Sequence, residues 1–235
     1  AALMAVATLL ALTVALALPE TNRHRNARAT QPRVLLATYR ELMADPVYRG
    51  YVATLALTFA GLFSFISGAA FVLIEAVGLS PDAFGLSFAT IVLGYILGNF
   101  LSSRYTRRFG HDRMIAAGLG CVLAGGLPMA ALALTGVQTA AAVVAPMAMF
   151  MIGAGLILPN ALAGAVGPYP TKAGSASALL GFSQMGGAAV VGALVGHLHD
   201  GTARPMALAI AVSGLAALVA FRRLRQARAR MAVAV

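Results

Sequence analysis

Acidic residues are scarce in this sequence: seven Asp and Glu stand against seventeen Lys and Arg. The seven fall in loops or at the edges of apolar runs. Glu75 comes nearest an interior, directly after an uncharged run, and reads as rim-exposed. No apolar run therefore holds the paired carboxylates, or the Cys, His and Asp set, that hydrolytic or acid–base chemistry requires, and the chain is read as a non-enzyme with no catalytic residues and no cofactor. Cysteine occurs once, as Cys121, which excludes an internal disulfide and leaves a small packing residue. The only lysine, Lys172, lies between apolar runs, which excludes a Schiff base buried in one of them. The one metal-like cluster, HLHD at His197 to Asp200, puts its two His at i and i+2, pointing apart on a helix. It reads as an exposed turn, so no metal is expected. A net charge of +10 suggests nucleic acid in a soluble chain, but no basic patch here is interleaved with aromatics, and no nucleic-acid partner is expected.

Apolar length is what the sequence has in quantity. Sixty per cent of the residues are hydrophobic and 10 % are charged, against about a quarter charged in soluble domains, so the chain reads as a membrane protein in contact with lipid. Crossing a hydrocarbon core takes about 20 residues of helix. Uncharged stretches supply Ala1 to Leu18, Gly50 to Ile74 and Ala83 to Ser103. The stretch from Arg113 to Lys172 is nearly three times too long for one crossing. It divides at TGVQT, Thr135 to Thr139, into Met114 to Leu134 and Ala140 to Gly167. Ala173 to Gly196 and Pro205 to Phe221 complete seven expected spans.

Positive charge tests that count, because Lys and Arg concentrate in cytoplasmic loops. Alternate connections and the tail hold every Lys and Arg except Arg204, which places the start outside and the C-terminus in the cytoplasm. The LPET that ends the first run has a signal-peptide look, yet no basic stretch precedes the run, and the segment is read as the cytoplasmic end of a span. Residues 19–46 form a basic linker. Within it Leu35, Tyr39 and Leu42 share a helical face, Pro32 can open the helix and Asp45-Pro46 ends it, so a helix lying on the membrane surface and a partly ordered tether are both open. Seven spans also fit a non-transporting seven-helix receptor or scaffold.

A more specific reading comes from motifs in order: ALPET at 17–21, YRELMADP at 39–46, LFSFISGAAFVLIEAVGLSPDAFGLSFA at 62–89, RRFGHDR at 107–113 and LILPNALAGAVGPYPTKAGSASALLGF at 156–182. Together they resemble the C-terminal half of Bcr/CflA-type multidrug efflux antiporters of the major facilitator superfamily. That resemblance implies an all-α, polytopic membrane bundle. Residues 1–18 would be the last helix of an N-terminal half, 19–46 the linker, 47–221 a six-helix C-terminal half and 222–235 a basic tail. It also implies export of small amphiphilic drugs or metabolites by proton antiport and alternating access in a bacterial inner membrane. The partners would be substrate, protons and the missing N-terminal half.

Polar residues inside spans are costly unless they face a cavity or a partner, so they mark the candidate site. The expected cavity set is Phe59, Phe63, Ser67 and Phe71 of the second span, Tyr95 and Asn99 of the third, Asn160 of the fifth and Gln184 of the sixth. Each also has a structural reading: Asn160 bonding a carbonyl freed by Pro159, Gln184 bonding a neighbouring helix, and Tyr95 and the Phe set packing at helical spacing. With Ser67, Gln184 and many aromatics, such a cavity suits amphiphilic or cationic aromatic ligands better than sugars. The segment SSRYTRRFGHDRM resembles the loop between the second and third helices of a half in this superfamily, with Ser103 and Arg107 where Gly and Asp are usual. Arg104, Arg108, Gly110, Asp112 and Arg113 are accordingly the expected cytoplasmic gate loop, or else topological anchors.

Overall fold

The computed structural model describes residues 2–17 and 31–233. Leu18 and the linker residues 19–30, with Arg23, Arg25 and Arg28, lie outside the described residues. Eight α-helices occur among those described: α1 (Ala2–Ala17), α2 (Pro32–Ala44), α3 (Pro46–Ala70), α4 (Pro81–Phe109), α5 (His111–Leu134), α6 (Ala140–Val166), α7 (Ala173–His197) and α8 (Arg204–Val233). A π-helical turn, Phe71–Ala76, continues α3, and a 3-10 turn, Pro170–Lys172, opens α7. No strand occurs among the described residues. The chain forms two separate units, Ala1–Leu36 and Ala37–Val235.

In the first unit, α1 returns its only side-chain hydroxyls to its own backbone, Thr8 to the Met4 carbonyl at 2.9 Å and Thr13 to that of Leu9 at 2.8 Å. This satisfies them without a partner in an apolar setting. Its 16 described residues fall short of a crossing length.

The second unit contains six helices long and apolar enough to cross a membrane. Local chemistry sets their ends. Asp45 caps α3 by accepting from the Val47 N–H at 2.7 Å, with Pro46 behind it, and Ser80 with Pro81 does the same for α4. Between α5 and α6 lie Thr135 to Thr139, as expected. There Gly136 takes φ 80°, which only glycine adopts without strain, and the Val137 N–H closes the α5 end on the Leu132 carbonyl. Two expected ends move. Span three continues past Ser103 to Phe109, and the last helix passes Phe221 into the basic tail, because an uncharged run measures apolar thickness whereas a helix continues through arginines that favour it. Arg104 consequently lies inside α4, and Arg107 and Arg108 occupy the last turn, where cations favour the helix dipole.

Helix α3 packs on α8, α7 and α6, and α6 lies between α4 and α5. Without a hydrophobic drive in lipid, close backbone approach supplies much of the attraction. Gly94 shows how close: a Cβ there would lie 2.5 Å from the Ala148 carbonyl oxygen, and one at Gly155 would lie 2.6 Å from that of Tyr95. The buried hydroxyls of Thr54, Thr58 and Ser64 bond the carbonyls four residues earlier on α3. On one side meet the starts of α3, α5 and α7 and the ends of α4, α6 and α8, which is the arginine-rich side. Of the Lys and Arg in this unit only Arg204 is at the opposite end, where its Nε donates to the Ala133 carbonyl at 3.3 Å.

Candidate functional site

Two polar clusters occupy the arginine-rich end. The first centres on Asn160, 1 % exposed in the interior of α6. Its Nδ2 donates to Ser102 Oγ and to the Leu156 carbonyl, both at 2.7 Å. The carbonyl can only accept, so Oδ1 must point the other way. It receives the Thr106 hydroxyl and the Nδ1–H of His111, both at 2.9 Å. All four hydrogen-bonding positions of the amide are filled. His111 thereby carries a proton on Nδ1, with Nε2 turned to solvent or a partner. The carbonyl engaged is that of Leu156, not the Gly155 carbonyl that Pro159 deprives of its helical donor.

The second cluster forms at the turn between α4 and α5, which consists of Gly110 alone, at φ 80°. Asp112, in the first turn of α5, accepts the Tyr51 hydroxyl at 2.5 Å and the Arg228 guanidinium at 2.6 Å. The guanidinium also stacks 5.1 Å over the Tyr51 ring. One carboxylate thus ties α3, α5 and α8 together. Beside it opens a cavity of about 650 Å³ bordered by His111, Asp112, Arg113, Gly164 and Arg228. Of the expected gate residues, Gly110, Asp112 and Arg113 meet there. Arg108 instead lies over its neighbour Phe109 at 5.3 Å, and Arg104 is exposed on α4.

The expected cavity residues of α3 lie along one face toward α7. Phe59 and Phe63 stack at 6.3 Å, and Phe63 and Ser67 flank Gly192, where a Cβ would come within 3.0 Å of the ring and 2.9 Å of the hydroxyl. Phe71, half exposed, meets the His199 ring at 4.9 Å at the far end. Gln184 lies on the same α7, one turn from Gly187, which approaches the Ala56 carbonyl. Neither Gln184, nor Ser67, nor the Tyr95 hydroxyl makes a hydrogen bond among the described residues, and each is partly exposed. Asn99 turns back to the Tyr95 carbonyl at 2.9 Å. Ser67 is therefore brought against α7 at Gly192, Gln184 lies on that same helix, and Asn160 is held apart in its own cluster.

Tyr51, Ser102, Thr106, His111 and Arg228 escaped the sequence reading. A signal for three of them existed: an amide deep in a membrane helix needs four partners, and Ser102, Thr106 and His111 supply polar groups at the matching end of the neighbouring helices. No comparable signal pointed to Tyr51 or Arg228, because their meeting depends on how α3 and α8 pack.

Among the described residues no group of three metal-ligating side chains occurs. The six long apolar helices make this an integral membrane protein. A family model described as Major Facilitator Superfamily matches residues 1–192 and 54–232. The chain is 28 % identical over 205 residues to the bicyclomycin resistance protein homolog of Haemophilus influenzae, covering 86 % of this chain and 50 % of that protein. It is 28 % identical over 181 residues to multidrug resistance protein D of Escherichia coli, covering 77 % and 45 %. An uncharacterized MFS-type transporter of Bacillus subtilis is 28 % identical over 220 residues, covering 93 % and 54 %. The chain spans about half the length of the curated relatives it matches.

Proposed function

Because the chain belongs to the major facilitator superfamily, we propose that it is the C-terminal half of a transporter that exports small amphiphilic drugs or metabolites in exchange for protons. The arginine-rich end faces the cytoplasm of a bacterium, in its inner membrane, and an N-terminal half completes the substrate path by alternating access. The observation that carries this reading is the seam between α3 and α7. Ser67 stands there beside Phe63, which stacks on Phe59, and Gln184 lies on the same α7. Neither polar group has a hydrogen-bond partner among the described residues, and both helices are long and apolar enough to cross the membrane. A polar group without a partner at that depth is expensive unless a cavity, a ligand or another domain meets it. Phe71 and Tyr95 extend the aromatic lining, and Asn160 supports the path from behind by holding α4, α5 and α6 in register.

Aromatic walls with a single amide suit large, weakly polar cations, since ring faces attract positive charge. Proton coupling is assigned to the other half, because no acid among the described residues lies well inside a span. The test is efflux of a fluorescent cationic dye from inverted vesicles containing the full-length protein, with an imposed pH gradient. Dye movement that follows the gradient and falls with Gln184→Ala supports the reading. Movement indifferent to the gradient refutes proton exchange, and no movement of any amphiphile tried refutes export.

A further inference from the structure

Helix α2 and the start of α3 are fastened to the connection between α6 and α7 at three points. Outermost, the Lys172 ammonium lies 2.6 Å from both carboxylate oxygens of Glu41. Next, the Tyr169 hydroxyl donates to Oδ2 of Asp45, whose Oδ1 caps α3. Innermost, the Tyr48 hydroxyl donates to the Ala176 carbonyl at 2.7 Å, and its ring meets that of Tyr169 edge-on at 5.8 Å. The fastenings are graded in exposure: Tyr48 is 1 % exposed, whereas the Lys172 and Glu41 side chains are 36 % and 63 % exposed.

What they fasten is a helix that buries few residues within this half. Of the 25 residues of α7 only Ala176, Leu180, Ala188 and Val195 are buried, and it packs chiefly on α3. Gly174, Gly181, Gly186 and Gly196 have open space where a side chain would be. Its first residues carry no side-chain cap of their own. The Glu41 carboxylate, held by the N-cap residue Lys172, sets negative charge near the helix end whose dipole attracts it.

We propose that the Glu41–Lys172 pair and the Asp45–Tyr169 bond form a releasable latch between the linker helix and the arginine-rich end of α7, with the buried Tyr48–Ala176 bond as its pivot. This rests on the transporter reading, in which α7 moves. Release is easy because both ion-pair partners are solvated: losing an exposed pair shifts a two-state ratio by only about two- to fivefold. The linker would thus bias which way α7 leans, and with it the position of Gln184.

The experiment uses the full-length transporter in a Cys121→Ala background, with spin labels at Met43→Cys on α2 and Ser177→Cys on α7, both exposed positions. Distances between the labels should shift toward longer values in Lys172→Glu, by about two- to fivefold in population, and return in the swap Glu41→Lys with Lys172→Glu. An unchanged distribution in the single variant, or a swap that fails to restore it, overturns the latch. Lys172→Met, which removes charge without reversing it, gives the same reading should Lys172→Glu fold poorly. In a second arm, Glu41→Cys and Lys172→Cys are bridged by a reducible bis-thiosulfonate. Export should stop when bridged and resume on reduction; export that continues through complete bridging overturns the latch. The distance readout does not depend on export, so latch populations that respond in a protein moving no substrate refute the transporter reading alone.

Discussion

Asn160 and Gln184 look alike in the sequence, each an amide inside an apolar run, and the fold separates them. Removing the Asn160 side chain would take the amide partner from buried Ser102, leaving it Thr106 at 3.4 Å, and an unsatisfied buried polar group costs about 1–3 kcal/mol. Asn160→Ala should therefore lower the unfolding temperature in detergent and the folded yield together. Gln184→Ala removes no bond within this half, so it should leave the folded yield unchanged and reduce export by the full-length protein; loss of yield in step with export would make Gln184 a packing residue. Neither outcome was legible beforehand, since apolar context reveals depth but not which neighbours arrive at that depth. Tyr169, in the connection before α7, offers a test with pH. Burial, then the hydrogen bond to Asp45, pushes its phenol above the ordinary value of 10.0. The folded protein keeps that proton when the unfolded chain has lost it. This share of stability is complete below about pH 10 and is lost as pH rises through the folded value. Tyr169→Phe should accordingly flatten the fall in unfolding temperature above pH 10, by at most one proton's worth, and an unaltered slope would mean that the bond does not persist in solution.

Helices were legible as elements because uncharged length and turn residues act locally. TGVQT and Asp45-Pro46 punctuate where expected, and Ser80-Pro81 opens α4. Ends that run on through arginine were not legible, because solvation permits a helix there without requiring a stop. Gly94 and Gly98, four residues apart, are the small residues that let α4 approach α6 at Ala148, Ile152 and Gly155. A side chain at Gly98 would meet the Ile152 carbonyl, a backbone group that cannot step aside. Gly98→Leu should therefore abolish folded protein measured by fluorescence-detected size exclusion, whereas Gly174→Leu, in open space, should not. Asp112 and Arg228 belong to this scale as well. Their double-mutant cycle should give a coupling of about 1 kcal/mol or less, because both side chains keep contact with solvent.

For the molecule as a whole, the charge asymmetry predicts that Arg108 and Arg225 face the cytoplasm and Ser80 and Thr202 the opposite side. Single-cysteine labelling in a Cys121→Ala background checks this, and equal labelling of both sets from one side would end the proposed orientation. Proton coupling belongs to the same scale: Glu75→Gln should retain efflux driven by a pH gradient, and its loss with substrate binding intact would make Glu75 the coupling group. Architecture was readable from the sequence because hydrocarbon thickness constrains every span alike. The seam at Gln184 was readable only as a set of residue types, since its geometry depends on helix rotation. Rotation also gives the π turn at Phe71–Ala76 its meaning, for such a turn is what one extra residue does to an α-helix. A chain one residue shorter there would close as ordinary α-helix, with everything beyond keeping its orientation and the core of α3 undisturbed. The same deletion between Ser102 and Thr106 would turn one of them away from Asn160. A one-residue deletion is thus absorbed at the end of α3 and refused at the end of α4.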